Sequence, residues 1–113
     1  MDVKSVLKKY FGHTSFRSIQ EKVIDTVLEK KDVLLLMPTG GGKSICFQLP
    51  AIMMEGTTLV ISPLIALMKD QVDSLKANGV AAEFLNSSLT LDEEAEIILR
   101  CQKGALKLLY ISP

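Results

Sequence analysis

A glycine-rich segment with three consecutive glycines, followed by a lysine and a serine, contains the residue types in this sequence that could do chemistry. Glycines lack a Cβ, so their successive backbone N–H groups could turn inward around phosphate oxygens. Lys43 could then reach the β- and γ-phosphates as a catalytic lysine, and the Ser44 hydroxyl could ligate Mg²⁺. The predicted phosphate-contacting residues are Thr39, Gly40, Gly41, Gly42, Lys43 and Ser44.

The sequence on either side favours a phosphate-binding loop. An apolar run from Val33 to Met37 precedes the glycines as a predicted strand, and a predicted helix from Lys43 to Met54 follows them. The positive end of that helix dipole would face the same anion. The usual pattern begins with glycine, whereas Met37 holds that place here. A flexible glycine turn that happens to precede Lys-Ser is the alternative.

The composition is that of a globular domain. The chain has 113 residues, 48% of them hydrophobic, and a mean hydropathy of +0.28, so it can bury a core. No apolar stretch approaches the length of a membrane span, and the N-terminus lacks the apolar region of a signal peptide. We therefore expect a cytoplasmic protein with no membrane partner.

The charge and the cysteine content argue against a broad nucleic-acid-binding surface and against a metal site built on cysteine. The 13 basic and 13 acidic residues cancel, so any contacts with nucleic acid would be local or would lie in a part of the protein that this chain does not contain. Cys46 and Cys101 are far apart, and no histidine lies near either. We expect two free thiols and no metal site built on them.

Apolar runs and helical periodicity alternate along the chain. The predicted strands are Val33 to Met37, Thr58 to Ser62, Val80 to Leu85 and Leu106 to Ile111. The predicted helices are Val3 to Tyr10, Arg17 to Glu29, Lys43 to Met54, Ser62 to Asn78 and Thr90 to Gly104. Nearly continuous apolar strands that alternate with helices predict an α/β layered fold with a parallel sheet.

Local signals predict details of three helices. Ser62 and Pro63 are the expected N-cap and first residue of one helix, and Thr90 to Glu93 matches a capping box. Pro50 should kink or end the helix that contains it. The predicted buried stripes are Leu64, Leu67, Met68, Val72 and Leu75 in one helix, and Ala95, Ile98, Leu99 and, at the margin, Cys101 in the next.

Two further motifs flank the loop: F-G-H-T-S-F-R-S-I-Q at residues 11–20 and I-S-P-L-I-A-L-M-K-D-Q-V at residues 61–72. With the loop between them, the sequence resembles the start of a RecQ-type, ATP-dependent DNA helicase of superfamily 2. The likeness extends from about Leu7 to Pro113. DEAD-box RNA helicases share the general loop and are the alternative family, but they usually carry a different motif in place of S-P-L-I-A-L-M-K-D-Q.

This resemblance implies a fold, ligands and a place in a larger protein. The implied fold is a P-loop NTPase (RecA-like) three-layer parallel sheet, of which residues 1–113 form the N-terminal part of the first motor domain. The implied cofactors are ATP and Mg²⁺, and the implied partner is single-stranded or duplex DNA. The intact protein would unwind DNA with 3′-to-5′ movement, in DNA repair and recombination, in the nucleoid of a bacterium or the nucleus of a eukaryote.

The resemblance also assigns residues to the adenine base. Gln20 would hydrogen-bond the base edge, Arg17 would stack on one face, and His13 would take the place of an aromatic residue on the other. An amide can read the adjacent donor and acceptor of adenine, and a guanidinium plane stacks well on a ring. Taken singly, each residue has an ordinary alternative on a solvated helix or loop.

A second set of residues resembles the family's DNA-facing segments. These candidates are Ser62, Lys69, Asn86 and Ser87, and Ser112-Pro113 resembles the start of another such motif. Ser62, or the helix N-terminus behind it, could bind a backbone phosphate. A capped helix and polar turns would explain the same residues without DNA.

The family's acidic D-E-x-H motif would follow the last predicted strand. The acidic residues at 70, 73, 93, 94 and 96 fall on predicted helices instead. We therefore expect the 113-residue chain to bind ATP without hydrolysing it, and we expect it to lack the second motor domain. A non-catalytic nucleotide-binding fragment of a truncated gene is the other function class.

If the family's strand order holds, later strands would flank Val33 to Met37, and this chain should associate or be marginally stable.

Overall fold

The computed structural model describes residues 2–17, 19–37 and 42–113, and the chain divides into two compact units, Met1–Glu55 and Gly56–Pro113. In the first unit, α1 spans Val3–Val6 and continues as a π-helical turn, Leu7–Phe11, before α2 (Gln20–Leu28) and α3 (Lys43–Met53). The second unit contains, in chain order, β1 (Thr58–Ile61), α4 (Ile65–Ala77), β2 (Ala82–Leu85), α5 (Leu91–Gln102) and β3 (Leu108–Ile111). None of the helices in the described ranges is long and apolar enough to cross a membrane.

Packing of α2 against α3 builds the core of the first unit. Ile24 of α2, Leu49 of α3 and Leu7 of the π-helical turn are each buried to 1% exposure or less. Ile19 holds the N-cap position of α2, before its first turn, and is 46% exposed. The sequence predicts that Pro50 kinks or ends its helix. α3 continues past Pro50 to Met53, so the helix does not end at this proline.

The predicted strand from Val33 to Met37 is not formed. Residues 31–37 have no regular secondary structure, and Leu34 and Leu36 are 88% and 85% exposed. A strand needs a neighbour that exchanges backbone hydrogen bonds with it, and no strand within the described ranges pairs with this run. Residues 33–37 have the composition of a buried strand but form an irregular segment with exposed apolar side chains.

The second unit is built on a parallel sheet with strand order β1-β3-β2. Leu109 of β3 lies opposite Leu59 of β1 and Glu83 of β2. Tyr110 of β3 is buried, and its hydroxyl donates a hydrogen bond to Gln71 Oε1 of α4 at 2.8 Å. Helices connect the parallel strands, so the α/β architecture predicted from the sequence is confirmed and is compatible with part of a RecA-like P-loop fold.

α4 begins later than the sequence predicts. Leu64, not Ser62, holds the N-cap position, and the Ser62 hydroxyl accepts a hydrogen bond from the Leu64 N–H at 3.1 Å. This local turn occupies the hydroxyl that was expected to cap the helix. Leu64 and Leu67 are 58% and 45% exposed, contrary to the predicted stripe. The buried residues of α4 are Met68, Val72 and Leu75.

α5 has the predicted beginning but the opposite buried face. The Glu93 N–H donates to Thr90 Oγ1 at 3.1 Å and the Thr90 N–H donates to Glu93 Oε1 at 2.9 Å, which confirms the capping box. Ile97 packs on Leu106 and Leu109, with Cys101 partly buried beside it. The predicted inward residues Ala95, Ile98 and Leu99 are exposed. The prediction was wrong because α5 carries two apolar stripes and only one faces the sheet.

Candidate functional site

Gln20, the first residue of α2, connects two of the sequence motifs through its side-chain amide. Its Oε1 accepts a hydrogen bond from the Arg17 N–H at 2.8 Å, and its Nε2 donates to the carbonyl oxygen of Gly42 at 3.1 Å. The side chain is buried, with the residue 2% exposed. A buried amide with both polar atoms bonded is held in one orientation. The start of α2 is thereby attached to the residue that precedes α3.

Gly42 is a position that requires glycine. Its φ of +81° lies in the left-handed region that other residues adopt only with strain. A Cβ at this position would also collide with Gln20 Nε2 and lie 3.0 Å from Arg17 Nη2. The backbone conformation and the close approach of two side chains both depend on the missing Cβ.

The N-terminus of α3 offers backbone donors with a lysine and a serine beside them. Gly42 holds the N-cap position and makes no side-chain capping bond, so the first N–H groups of α3 are not satisfied by a cap. Lys43 is exposed and Ser44 is half-buried in the first turn. This combination suits an anion with a bound cation. The predicted positions Thr39, Gly40 and Gly41 lie outside the described residues.

A cavity of about 200 Å³ lies next to Gln20. Its lining residues are Leu7, His13, Ser15, Arg17, Gln20 and Ile45. Pockets that enclose a whole drug-sized ligand usually measure about 300–1,000 Å³, so this cavity, which is lined by both apolar and polar residues, suits one ring of a ligand. The three residues assigned to the adenine base by resemblance therefore share one cavity.

Cys46, one turn into α3, is a buried free thiol. Burial raises the pKa of Cys46, because the thiolate loses hydration. Its sulfur lies 3.9 Å from the carbonyl oxygen of Gly42. The predicted free thiols at Cys46 and Cys101 are both observed, and the Cys46 thiol fills space beside Gly42 in its neutral form.

The carboxyl ends of the three strands carry a row of polar residues. The Ser62 N–H donates to the Ile111 carbonyl at 3.1 Å, and the Ser112 N–H donates to the Leu85 carbonyl at 3.2 Å. These bonds continue the register of the sheet by one residue, so Ser62, Ser112 and Asn86 follow neighbouring strands at the same edge. Ligands of parallel α/β sheets bind at such an edge.

Asn86 has an amide donor without a partner in the described part of the chain, whereas the Lys69 amine is already in an ion pair. Asn86 Oδ1 accepts from the Ser88 N–H at 2.8 Å, while its buried Nδ2 has no hydrogen-bond partner in the described part of the chain. Lys69 is paired with Asp73 at 2.9 Å, and the hydrogen bond and charge of that carboxylate raise the pKa of Lys69. Ser87 is exposed. A phosphate that approached Lys69 would compete with Asp73.

The sequence profile of the DEAD/DEAH box helicase family matches residues 17–113. The chain belongs to this helicase family. It is similar to the ATP-dependent DNA helicase RecQ of Haemophilus influenzae, with 57% identity over 96% of this chain and 18% of that protein. RecQ of Bacillus subtilis is 51% identical over 97% of this chain and 19% of that protein. ATP-dependent DNA helicase Q5 of the rat is 50% identical over 98% of this chain and 12% of that protein. The chain thus spans less than a fifth of the length of these relatives.

In this helicase-family chain, two groups of candidate residues are assembled separately. His13, Arg17 and Gln20 meet around one cavity, and Gln20 contacts Gly42 directly. Ser62 and Asn86 follow the two outer strands of the sheet, and Ser112 follows the central strand between them. The sequence signal for Ser112 is the repeated L-x-I-S-P at residues 59–63 and 109–113.

The acidic residues lie where the sequence predicts. Asp70 and Asp73 are on α4, and Glu93, Glu94 and Glu96 are on α5. Among the described residues, no group of three or more His, Cys, Asp or Glu side chains could hold a metal ion. The hydroxyl of Ser44 is an oxygen ligand of the type that Mg²⁺ prefers.

Proposed function

We propose that this chain binds ATP with Mg²⁺ and is the nucleotide-holding part of an ATP-dependent DNA helicase. The observation that carries this proposal is the hydrogen bond from Gln20 Nε2 to the Gly42 carbonyl. It joins the cavity lined by His13 and Arg17 to the first turn of α3. One ligand with a flat ring at one end and phosphates at the other matches both features.

In this proposal Gln20 reads the adenine edge without leaving its present bonds. A primary amide has two N–H donors and two lone pairs on its oxygen. Gln20 uses one donor on Gly42 and one lone pair on the Arg17 N–H, which leaves one of each for adenine. Arg17 and His13 would lie against the two faces of the base. The buried position of Gln20 excludes water from these hydrogen bonds and so favours discrimination between bases.

The phosphates would lie against the N-terminus of α3. Lys43 would contact the β- and γ-phosphates and Ser44 the metal, together with Thr39, Gly40 and Gly41 of the loop. Mg²⁺, when bound with the triphosphate, neutralises phosphate charge. Hydrolysis also needs a carboxylate that positions water, and the acidic side chains on α4 and α5 belong to helix surfaces. We therefore propose that these 113 residues bind ATP without turnover.

DNA is the proposed nucleic acid of the intact protein, with 3′-to-5′ movement. The names of the similar proteins support DNA over the RNA alternative. Ser62, Asn86 and Ser112 offer hydroxyl and amide donors along one sheet edge, which suits contacts to a phosphate backbone. Ser87 extends this row, and Lys69 would join it only by leaving Asp73.

Calorimetric titration of the chain with ATP and GTP, each with Mg²⁺, tests the proposal. We expect a preference for ATP that Gln20→Ala removes, with a loss of about 1–3 kcal/mol in ATP binding. Lys43→Ala should weaken both nucleotides, since it acts on the phosphates. Gln102→Ala, at an exposed glutamine on α5, is the matched control and should leave binding unchanged. Equal affinity for ATP and GTP in the unmodified chain would refute the base-reading role, and ATP turnover that Lys43→Ala abolishes would refute the claim of binding alone.

A further inference from the structure

The exposed side of α5 carries a complete apolar stripe of its own. Leu91, Ile98 and Leu99 are 84%, 40% and 49% exposed, and Ala95 lies between them on the surface. Ile97, on the other side of the helix, supplies the contact with the sheet. The outer stripe is therefore not needed to hold α5 in place.

The spacing of this stripe is that of a helix-pairing seam. Three residues of the stripe, Leu91, Ala95 and Ile98, and the polar Gln102 beyond them are separated by four, three and four residues, the alternation by which one helix presents a continuous face to another. A small residue, Ala95, stands next to a large one, Ile98. In an antiparallel pair of two copies, Ala95 of each would face Ile98 of the other, so that large and small side chains fit together.

Charges beside the stripe are complementary to their own reversed copy. Asp92 stands at the start of α5 and Lys103 follows its end, both on the same flank of the stripe and both exposed. Neither has an ion-pair or hydrogen-bond partner among the side chains in the described ranges. Two-fold symmetry in an antiparallel pair brings the same flanks together. Asp92 of each copy would then meet Lys103 of the other, whereas in a parallel pair the same flanks lie on opposite sides of the seam and these two charges would not meet.

We propose that the outer face of α5 is a self-association surface, on which a second copy of this chain packs its own α5 in the antiparallel direction. The stripe supplies the attraction, and the two symmetric Asp92–Lys103 pairs select the direction. A twelve-residue helix is about 18 Å long, so the buried area falls short of the roughly 800 Å² per partner of standard interfaces. The dimer is accordingly weak and forms at about 0.1–1 mM chain.

Sedimentation equilibrium of the full chain over about 20 µM to 1 mM tests this surface. The average mass should rise from the chain mass of 12.4 kDa towards twice that value. Ile98→Glu should weaken association about tenfold or more, because it places a charge in the centre of the seam. Ile61→Glu is the matched control, since Ile61 is a 71% exposed isoleucine on β1 rather than α5, and it should leave association unchanged.

Charge exchange between two variants tests the direction. Asp92→Lys alone and Lys103→Glu alone should each sediment as monomers, because each brings like charges together twice. Their equimolar mixture should associate again, since both ion pairs are restored across unlike chains. Circular dichroism of every variant establishes that α5 is still folded.

Three outcomes would overturn the proposal. The chain would remain monomeric across the whole range, or Ile61→Glu rather than Ile98→Glu would abolish association, or the mixed variants would stay apart. The last result would refute the antiparallel pairing even if Ile98→Glu had its expected effect.

Discussion

Gly42 is the residue at which the proposed base-reading motif meets the phosphate loop. Its left-handed conformation and its contact with Gln20 are two separate constraints. The first raises the free energy of any L-residue placed there, and the second is steric. Sequence alone predicts a glycine-rich loop at this place. It does not predict that the last glycine is also the acceptor for a buried glutamine, because that contact joins residues far apart in the chain.

Gly42→Ala and Gly79→Ala separate these two constraints. Gly79 has a similar φ of +86° but nothing within 4 Å of its missing Cβ. We expect Gly79→Ala to lower the free energy of unfolding by about 1 kcal/mol from backbone strain alone. Gly42→Ala should cost about 1–3 kcal/mol more, because the Gln20 amide must move. Urea unfolding gives the free energies, and an equal loss in both variants would show that Gln20 yields without cost.

At the scale of single elements, helix beginnings were predicted where the signal is local and missed where a competing bond exists. The capping box of α5 is complete within four residues, so Thr90 and Glu93 identify it correctly. Ser62 has the right side chain for an N-cap, but its hydroxyl bonds the Leu64 N–H before the helix begins. The buried face of α5 was missed because spacing cannot tell which of two apolar stripes meets the sheet. The prediction of a strand at Val33 to Met37 was wrong, because a strand depends on a hydrogen-bonding neighbour and no strand in the described ranges pairs with this run.

The capping box gives a prediction that depends on pH. Thr90→Ala removes the acceptor for the Glu93 N–H and should lower the free energy of unfolding by about 0.5–2 kcal/mol. Hydrogen bonds from Thr90 hold the pKa of Glu93 below its usual value. The Glu93 carboxylate therefore adds to the free energy of unfolding above the ordinary glutamate pKa, and this addition is lost as the pH falls through the lower pKa of the folded state. Glu93→Ala should therefore destabilise the chain at pH 7 but much less at pH 3. Urea unfolding at both pH values measures this, and a pH-independent effect would contradict it.

At the scale of the whole molecule, the chain consists of two compact units with different means of stabilisation. The first is held by helix packing around Ile24 and Leu49. In the second, every strand pairs within the unit, and helices pack on the sheet through Tyr110 and Ile97. The parallel sheet was predictable from alternating apolar runs. The division at Gly56 was not, because no change of composition marks it.

We expect residues 56–113 to fold without the rest of the chain. The three strands of the described sheet and the two helices that connect them lie within this segment. A domain this small buries a limited apolar area, so its thermal transition should be cooperative but low. Circular dichroism of the separate segment, with residues 1–55 as the comparison, should show a mixed α/β spectrum for the former. A random-coil spectrum would show that the second unit depends on the first.

The double engagement of Gln20 has a consequence for redesign of the site. An engineer who wished to exchange adenine for another base would replace this residue first, because its amide is the group proposed to read the base. That replacement would also remove the anchor of the Gly42 carbonyl and open space beside its Cα. Altered selectivity and weakened hold on the phosphates should therefore arrive together. A successful variant would need a compensating donor to that carbonyl, introduced in the same step.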